Sequence, residues 1–323
     1  MLDVRRLRLL CDLSRLGTIA AVAQAHTYTP SAVSQQLSAL EREAGVPLLE
    51  RSGRRVTFTP AGRVLVAHAE TVLAALEQTT AALAAVATGL TGPLRIGAFP
   101  TAVRTLLPAT LVALGRQHPG LELTVTELDP VEVPAALRER RLDVGLLHDY
   151  DVVPVDPDPA LDTVPLLDET VFLAVPTGSP PAVPARAPVS RDVGAPIGHG
   201  VGTPSGRDVD PLRAARDAAW IMASPGTLCH TVTLQLCRSA GFTPRVRHQA
   251  DDFATVLALV AADQGVSLVP QLAAVDPPAG VRLVALGSRR RTRVAYRRGA
   301  APHPAVAAFV AAVRAATDDV LTR

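Results

Sequence analysis

The chain has 323 residues with 32 basic and 30 acidic side chains and a mean hydropathy of +0.24. That length suggests two or three compact units with ample sequence for buried cores, and a net charge of +2 says little until it is divided along the chain. No stretch approaches the roughly 18 uninterrupted apolar residues of a membrane-spanning helix, and Cys11, Cys229 and Cys237 fit neither a zinc-site spacing nor a disulfide scaffold, so no metal or other cofactor is expected.

Arginine supplies every basic residue, which reads as a GC-rich coding bias. Residues 1–62 hold eight Arg against five acids, a local excess that favours an anionic partner at this end. The opening MLDVRRLRLLCDLSRLG scatters charges through its apolar positions, unlike a secretory leader, so a cytoplasmic location is expected. Helical patterns cover residues 2–16 and 18–24. A third helix follows in TYTPSAVSQQLSALERE, where Thr29 and Pro30 provide an N-cap and a first-turn proline. Its apolar stripe is Val33, Leu37, Leu40 and Ala44, so Ser31, Ser34, Gln35, Ser38 and Arg42 share the opposite face.

An ordinary surface helix carries long charged residues on that face. Short hydroxyls and an amide let a helix backbone approach the floor of a DNA groove, where Gln pairs bidentately with adenine and Ser reaches phosphates. Small Ala residues in the preceding helix permit the close packing of a helix-turn-helix. The alternative is a merely solvated face. PLLERSGRRVTFTP then alternates like a β-hairpin, a wing whose Arg51, Arg54 and Arg55 would lie against the flanking DNA backbone. From Thr59 to about Thr88 one long helix carries Leu65, Ala69, Val72, Leu76, Thr79, Leu83 and Val86 in heptad steps. Such a narrow seam seeks a partner helix, either from a second copy or from its own chain.

After GLTGP the pattern changes to strands alternating with helices, the rhythm of βαβ units around a mostly parallel sheet. Two α/β lobes result, with the loop-rich residues 176–211 between elements of the second. FPT at Phe99, Pro100 and Thr101 marks a strand-to-helix junction; SPGTLC repeats it around Thr227 and Cys229. Amides at such junctions suit an anion, and strand ends are where open α/β sheets bind ligands. His148, Asp149 and Tyr150 end another strand and serve either the cleft or hinge packing. Thr227 is equally a plain helix cap, and His230 a solvent or cap residue.

The N-terminal blocks resemble LysR-type transcriptional regulators: a small-residue helix, a Ser-rich helix, Gly-Val at Gly45 and Val46, Leu-Leu-Glu-Arg at Leu48 to Arg51 and Phe-Thr-Pro-Ala-Gly at Phe58 to Gly62. Leu49 stands where the family usually has Phe. The resemblance implies a winged helix-turn-helix over residues 1–58, a linker and dimerisation helix over 59–90, and over 91–323 a two-lobe α/β effector-binding domain resembling type 2 periplasmic binding proteins. Lobe 1 is expected at about 91–166 and 270–323, lobe 2 at about 167–269. In the family, the face equivalent to Ser31, Ala32, Ser34 and Gln35 meets promoter DNA, with the wing Arg nearby; Thr29, Pro30 and Ser38 beside it are expected to join that contact here. Leu65, Val72, Leu76 and Leu83 would pair two subunits, and dimers would assemble into tetramers that bend DNA, with RNA polymerase as a further partner.

The same resemblance places a small effector between the lobes; the strand-to-helix junctions and strand ends described above make it anionic or carboxylate-bearing and put it near Phe99, Pro100, Thr101, His148, Thr227 and Cys229. One branch of the family senses oxidants through two cysteines in this region. Eight residues on one helix separate Cys229 from Cys237 by roughly 12 Å, beyond the roughly 7 Å that a disulfide spans, so plain thiols are the favoured reading. An enzyme is the competing class, yet the chain has no His-Glu-x-x-His, phosphate loop or nucleophile elbow; GHGVGTPSG at residues 198–206 misses the dinucleotide spacing. A pure solute-binding protein would carry a leader and no helix-turn-helix.

Overall fold

The computed structural model describes residues 1–52, 55–86, 89–178 and 210–321. The head comprises α1 (Val4–Leu16), α2 (Ile19–Ala25), α3 (Pro30–Ala44) and a hairpin of β1 (Leu49–Ser52) and β2 (Arg55–Phe58). Side-chain caps start each helix: Asp3 accepts from the Arg5 and Arg6 amides, Thr18 from Ala21 and Thr29 from Ala32. Gly17 and Gly45, both left-handed, end α1 and α3. Leu10, Leu13, Val22, Val33, Leu37, Leu40 and Leu48 then share one buried core. The Glu41 carboxylate accepts from the amides of Leu48 and Leu49, at 2.9 and 3.0 Å, and so pins the wing to α3.

The linker helix α4 (Pro60–Val86) starts under a Thr59 cap. Gly62 is required there, because a Cβ would lie 2.1 Å from the Leu48 carbonyl oxygen. Further along, Glu77 turns inward and pairs with Arg140 and Arg297 of the following domain. A second contact joins head to domain, where Arg138 pairs with Asp158 and reaches Asp12 at 3.9 Å.

In that domain β3 (Thr91–Ala98), α5 (Pro100–Thr105), α6 (Leu107–Gln117), β4 (Gly120–Glu127), α7 (Val133–Arg138) and β5 (Val144–Tyr150) form the first lobe. The long β6 (Leu161–Pro176) crosses to the second, which holds α8 (Pro211–Ala214), β7 (Ala219–Met222), α9 (Leu228–Ser239), β8 (Arg245–Gln249), α10 (Phe253–Ala261) and β9 (Ser267–Pro270). The equally long β10 (Val281–Arg297) returns, and α11 (Pro304–Leu321) covers the first lobe. The six-stranded sheet runs β4-β3-β5-β10-β6-β9, with β7 and β8 forming a separate parallel pair.

Two expectations need correction. The sheet is mixed: β3 is parallel to β4 and β5, but the β5-β10, β10-β6 and β6-β9 junctions are antiparallel, because the two crossing strands run in opposite directions between lobes. The second lobe also keeps the chain past residue 270. Val281 and Leu283 pack with its Val256, Val260 and Val269, and the return falls within β10 at the register shift between Ala285 and Arg289. Each lobe has its own core, Ile96, Leu106, Leu114 and Phe309 in the first and Leu173, Trp220, Val232 and Cys237 in the second. The glycine stretch at 198–206 lies outside the described residues. No described helix is long and apolar enough to cross a membrane.

Candidate nucleic-acid interface and interlobe cleft

The helix-turn-helix exposes the predicted row. Val33, Leu37 and Leu40 are buried, whereas Thr29, Pro30, Ser31, Gln35, Ser38 and Arg42 are exposed and Ala32 and Ser34 half-buried at the edge. The connection between α2 and α3 is tight enough to hold Thr27 at φ 56°, a left-handed conformation that β-branched residues rarely adopt. α3 is held from behind by Arg6, which donates to Gln36 at 2.9 Å and pairs with Glu43. A rigid scaffold therefore presents a polar face made of short side chains. On the wing, β1 and β2 pair antiparallel with Arg51 opposite Val56. The Arg51 and Arg55 side chains, and Arg54 entirely, lie outside the described residues.

The linker seam divides in two. Leu65 and Ala69 pack against the head's own core, while Val72, Leu76 and Leu83 stand 43, 42 and 70% exposed. Exposed apolar side chains in heptad steps on one helix face are what a partner helix covers.

Between the lobes lies a cavity of about 260 Å³, and all six residues expected there line it: Phe99, Pro100, Thr101, His148, Thr227 and Cys229. The topology explains the convergence. Phe99 caps α5 at the end of β3, His148 sits on β5, and Thr227 and Cys229 open α9 from the other lobe. Asp149 points elsewhere and pairs with Arg293 at 2.8 Å. Thr227 acts as a cap, its hydroxyl accepting from the His230 amide at 3.3 Å and donating to the Ser224 carbonyl at 2.8 Å.

Arg290 is the residue that sequence reasoning missed. It lies on β10 where that strand crosses between lobes, wholly buried, and its Nε donates to the Glu169 carboxylate at 2.7 Å. Burial is the largest influence and opposes its charge, but Glu169, with smaller contributions from Tyr150 and Cys229, offsets it and raises the guanidinium above its ordinary value. Its Cζ stands 5.0 Å from the Phe99 ring centroid. Both Nη1 and Nη2 are buried without a partner. So are His148 Nδ1 and Thr292 Oγ1, and these groups share one sheet face: Arg290 and Thr292 are two apart on β10, with His148 directly opposite Thr292. Burial, then repulsion from Arg290, keeps His148 neutral well below its ordinary range. The Cys229 thiol meets the Tyr150 hydroxyl at 3.7 Å; burial pushes the thiol up against the weaker pull of that contact.

A helix-turn-helix head joined by a long helix to a two-lobe α/β domain is the build of a DNA-binding transcriptional regulator. The chain matches "Bacterial regulatory helix-turn-helix protein, lysR family" over residues 4–63 and "LysR substrate binding domain" over 87–193 and 201–318. It belongs to the LysR family of transcriptional regulators, which are not enzymes. A probable hydrogen peroxide-inducible genes activator of Mycobacterium avium is 31% identical over 268 residues, covering 83% of this chain and 77% of that one. Another, from Streptomyces viridosporus, is 31% identical across 99% of both chains. Among solved structures, a Corynebacterium glutamicum OxyR mutant matches with a TM-score of 0.55 at 25% identity, over 100% of this chain and 93% of that one. Full-length CbnR in complex with its target DNA shares the fold, with a TM-score of 0.50 at 22% identity over 98% of this chain and 100% of that one.

Proposed function

We propose that this regulator reads promoter DNA with the exposed face of α3 and that a small acceptor-bearing molecule, bound between the lobes, sets its activity in the cytoplasm. The observation that carries the effector reading is the cavity itself: residues from both lobes, far apart in sequence, line one space beside the crossing strands. A ligand touching both lobes favours one lobe spacing over another, and only such a differential affinity shifts an equilibrium. α4 pairs two copies, and dimers pair into tetramers whose head spacing follows the lobes; RNA polymerase is the further partner. The test is a footprint of the full chain on its upstream DNA with and without a low-molecular-weight cell extract. The footprint of the natural protein changes with extract, and that of Ala223→Trp, which fills the cavity, does not. A footprint indifferent to extract in both overturns the effector reading.

A second reading has one observation behind it. Cys229 lines the same cavity, and the named relatives are described as peroxide-inducible activators. The thiolate is the reactive form, however, and burial disfavours it here. Cys237 is buried in the core of the second lobe on the same helix. Hydrogen peroxide changing the footprint of the natural protein but not of Cys229→Ser would place this reading first.

A further inference from the structure

The charges around the cavity specify its guest more closely than its shape does. Its floor carries Arg290, the only cation among the described residues lining it, with Nη1 and Nη2 buried and unpartnered. Glu169 engages only Nε of that guanidinium, so the other edge of the fork is free for the two parallel hydrogen bonds that a carboxylate accepts. His148 Nδ1 is a further unpartnered polar atom on the same sheet face.

The rim has the opposite sign. Glu127, Asp129 and Asp251 line the cavity from both lobes. Asp251 accepts from the Ser224 amide and hydroxyl, both at 2.7 Å, and Asp129 from the Val131 amide at 3.0 Å. Neither has a basic partner in those contacts. The walls between floor and rim are apolar, with Leu128, Leu228 and Phe253 prominent. A simple anion would satisfy Arg290 but face three carboxylates on the way in; a simple cation would suit the rim and leave Arg290 bare.

We propose that the effector is a zwitterion with an apolar body, an amino acid or close analogue, its carboxylate held by Arg290 and its ammonium by the acidic rim. This rests on the effector reading above and narrows it. Like-charge repulsion at the rim rejects plain carboxylic acids, and the buried guanidinium rejects plain amines, so selectivity arises from both unfavourable pairings.

The test is a calorimetric titration of the full chain with the twenty standard amino acids, leucine and phenylalanine foremost. It includes their matched deaminated acids (4-methylpentanoate, 3-phenylpropanoate) and decarboxylated amines (3-methylbutylamine, phenethylamine). At least one amino acid binds saturably, and its matched acid and amine each bind at least about tenfold more weakly, about 1.4 kcal/mol. Arg290→Met abolishes binding. Because that variant leaves Glu169 buried and alone, the exposed Glu127→Gln and the rim residue Asp129→Asn serve as second variants: each weakens the amino acid while leaving its matched acid unchanged or improved. A plain acid binding as tightly as its amino acid overturns the zwitterion while leaving an effector cleft. Absence of binding by every amino acid also overturns it; the footprint with cell extract then decides separately whether the cleft takes any effector.

Discussion

Arg290 and Glu169 stand opposite each other on the two antiparallel strands that cross between the lobes, and their ion pair is fully buried. The second oxygen of Glu169 accepts from the Leu272 amide at 2.6 Å, so one carboxylate joins both crossing strands to the turn after β9. Removing one member of such a pair strands the other charge away from water. Glu169→Gln, which retains an acceptor for Leu272, should destabilise the protein by about 3–5 kcal/mol, whereas Arg290→Met combined with Glu169→Gln should cost much less. Urea unfolding of the full-length variants measures both; equal losses would show that the stranded charge is not the cause.

His148 makes stability depend on pH with a definite sign. It is neutral in the fold, held down first by burial and then by Arg290, while Phe99 and Tyr150 pack edge-on against its ring at 4.7 and 5.5 Å. In the unfolded chain it takes up a proton below its ordinary value of 6.5, so stability falls as pH drops through that value and is unaffected above it. The slope contributed by this one site approaches about 1.4 kcal/mol per pH unit. His148→Phe should remove that slope between about pH 6.5 and 5; an unchanged slope would mean that the imidazole charges within the fold.

Gln35 is the exposed amide on α3. Gln35→Ala should lose about 1–3 kcal/mol of discrimination between the operator and a random duplex. Arg54→Ala, which removes a guanidinium expected to meet the DNA backbone and not the bases, should weaken both duplexes alike. Equal loss on both duplexes for Gln35→Ala would remove its base-reading role.

Leu76 is exposed on α4, whereas the adjacent Glu77 is buried against the effector domain. Leu76→Asp should split the dimer, halving or quartering the mass seen by light scattering. An unchanged mass would reject the exposed seam as the subunit contact.

Glu77 is the tether between linker and lobe. It accepts from Arg297 Nε at 3.2 Å and pairs with Arg140, and Arg297 in turn donates to the Leu142 carbonyl at 2.7 Å. Glu77→Ala should cost about 1.5–3 kcal/mol, the scale of a hydrogen bond to a charged group, and small-angle scattering should show a larger radius of gyration. Unchanged values of both would mean that the tether carries no load.

Local chemistry made much of this molecule legible from its residues. Thr29, Pro30 and Gly45 mark the ends of α3, and the period of Val33, Leu37 and Leu40 assigns its faces, because helix caps and amphipathic spacing are short-range signals. Phe99, His148 and Thr227 were accessible for a similar reason, each sitting where a strand ends or a helix begins. Arg290 was not. In SRRRTR it is one of three consecutive arginines, and only the strand period places Arg290 and Thr292 inward while Arg289 and Arg291 face out. Its partner lies on another strand, so burial follows from register that no local pattern encodes. The lobe boundary was obscured likewise: β6 and β10 each belong to both lobes, and β10 changes allegiance around Gly287 without breaking into two strands.

Binding of the purified full chain to the DNA upstream of its own coding region, against a scrambled duplex across a salt series, tests sequence-specific recognition most directly. A marked preference for the natural duplex, with affinity falling steeply as salt rises, is the expected result. Equal affinity for natural, scrambled and genomic fragments at every salt concentration would contradict it.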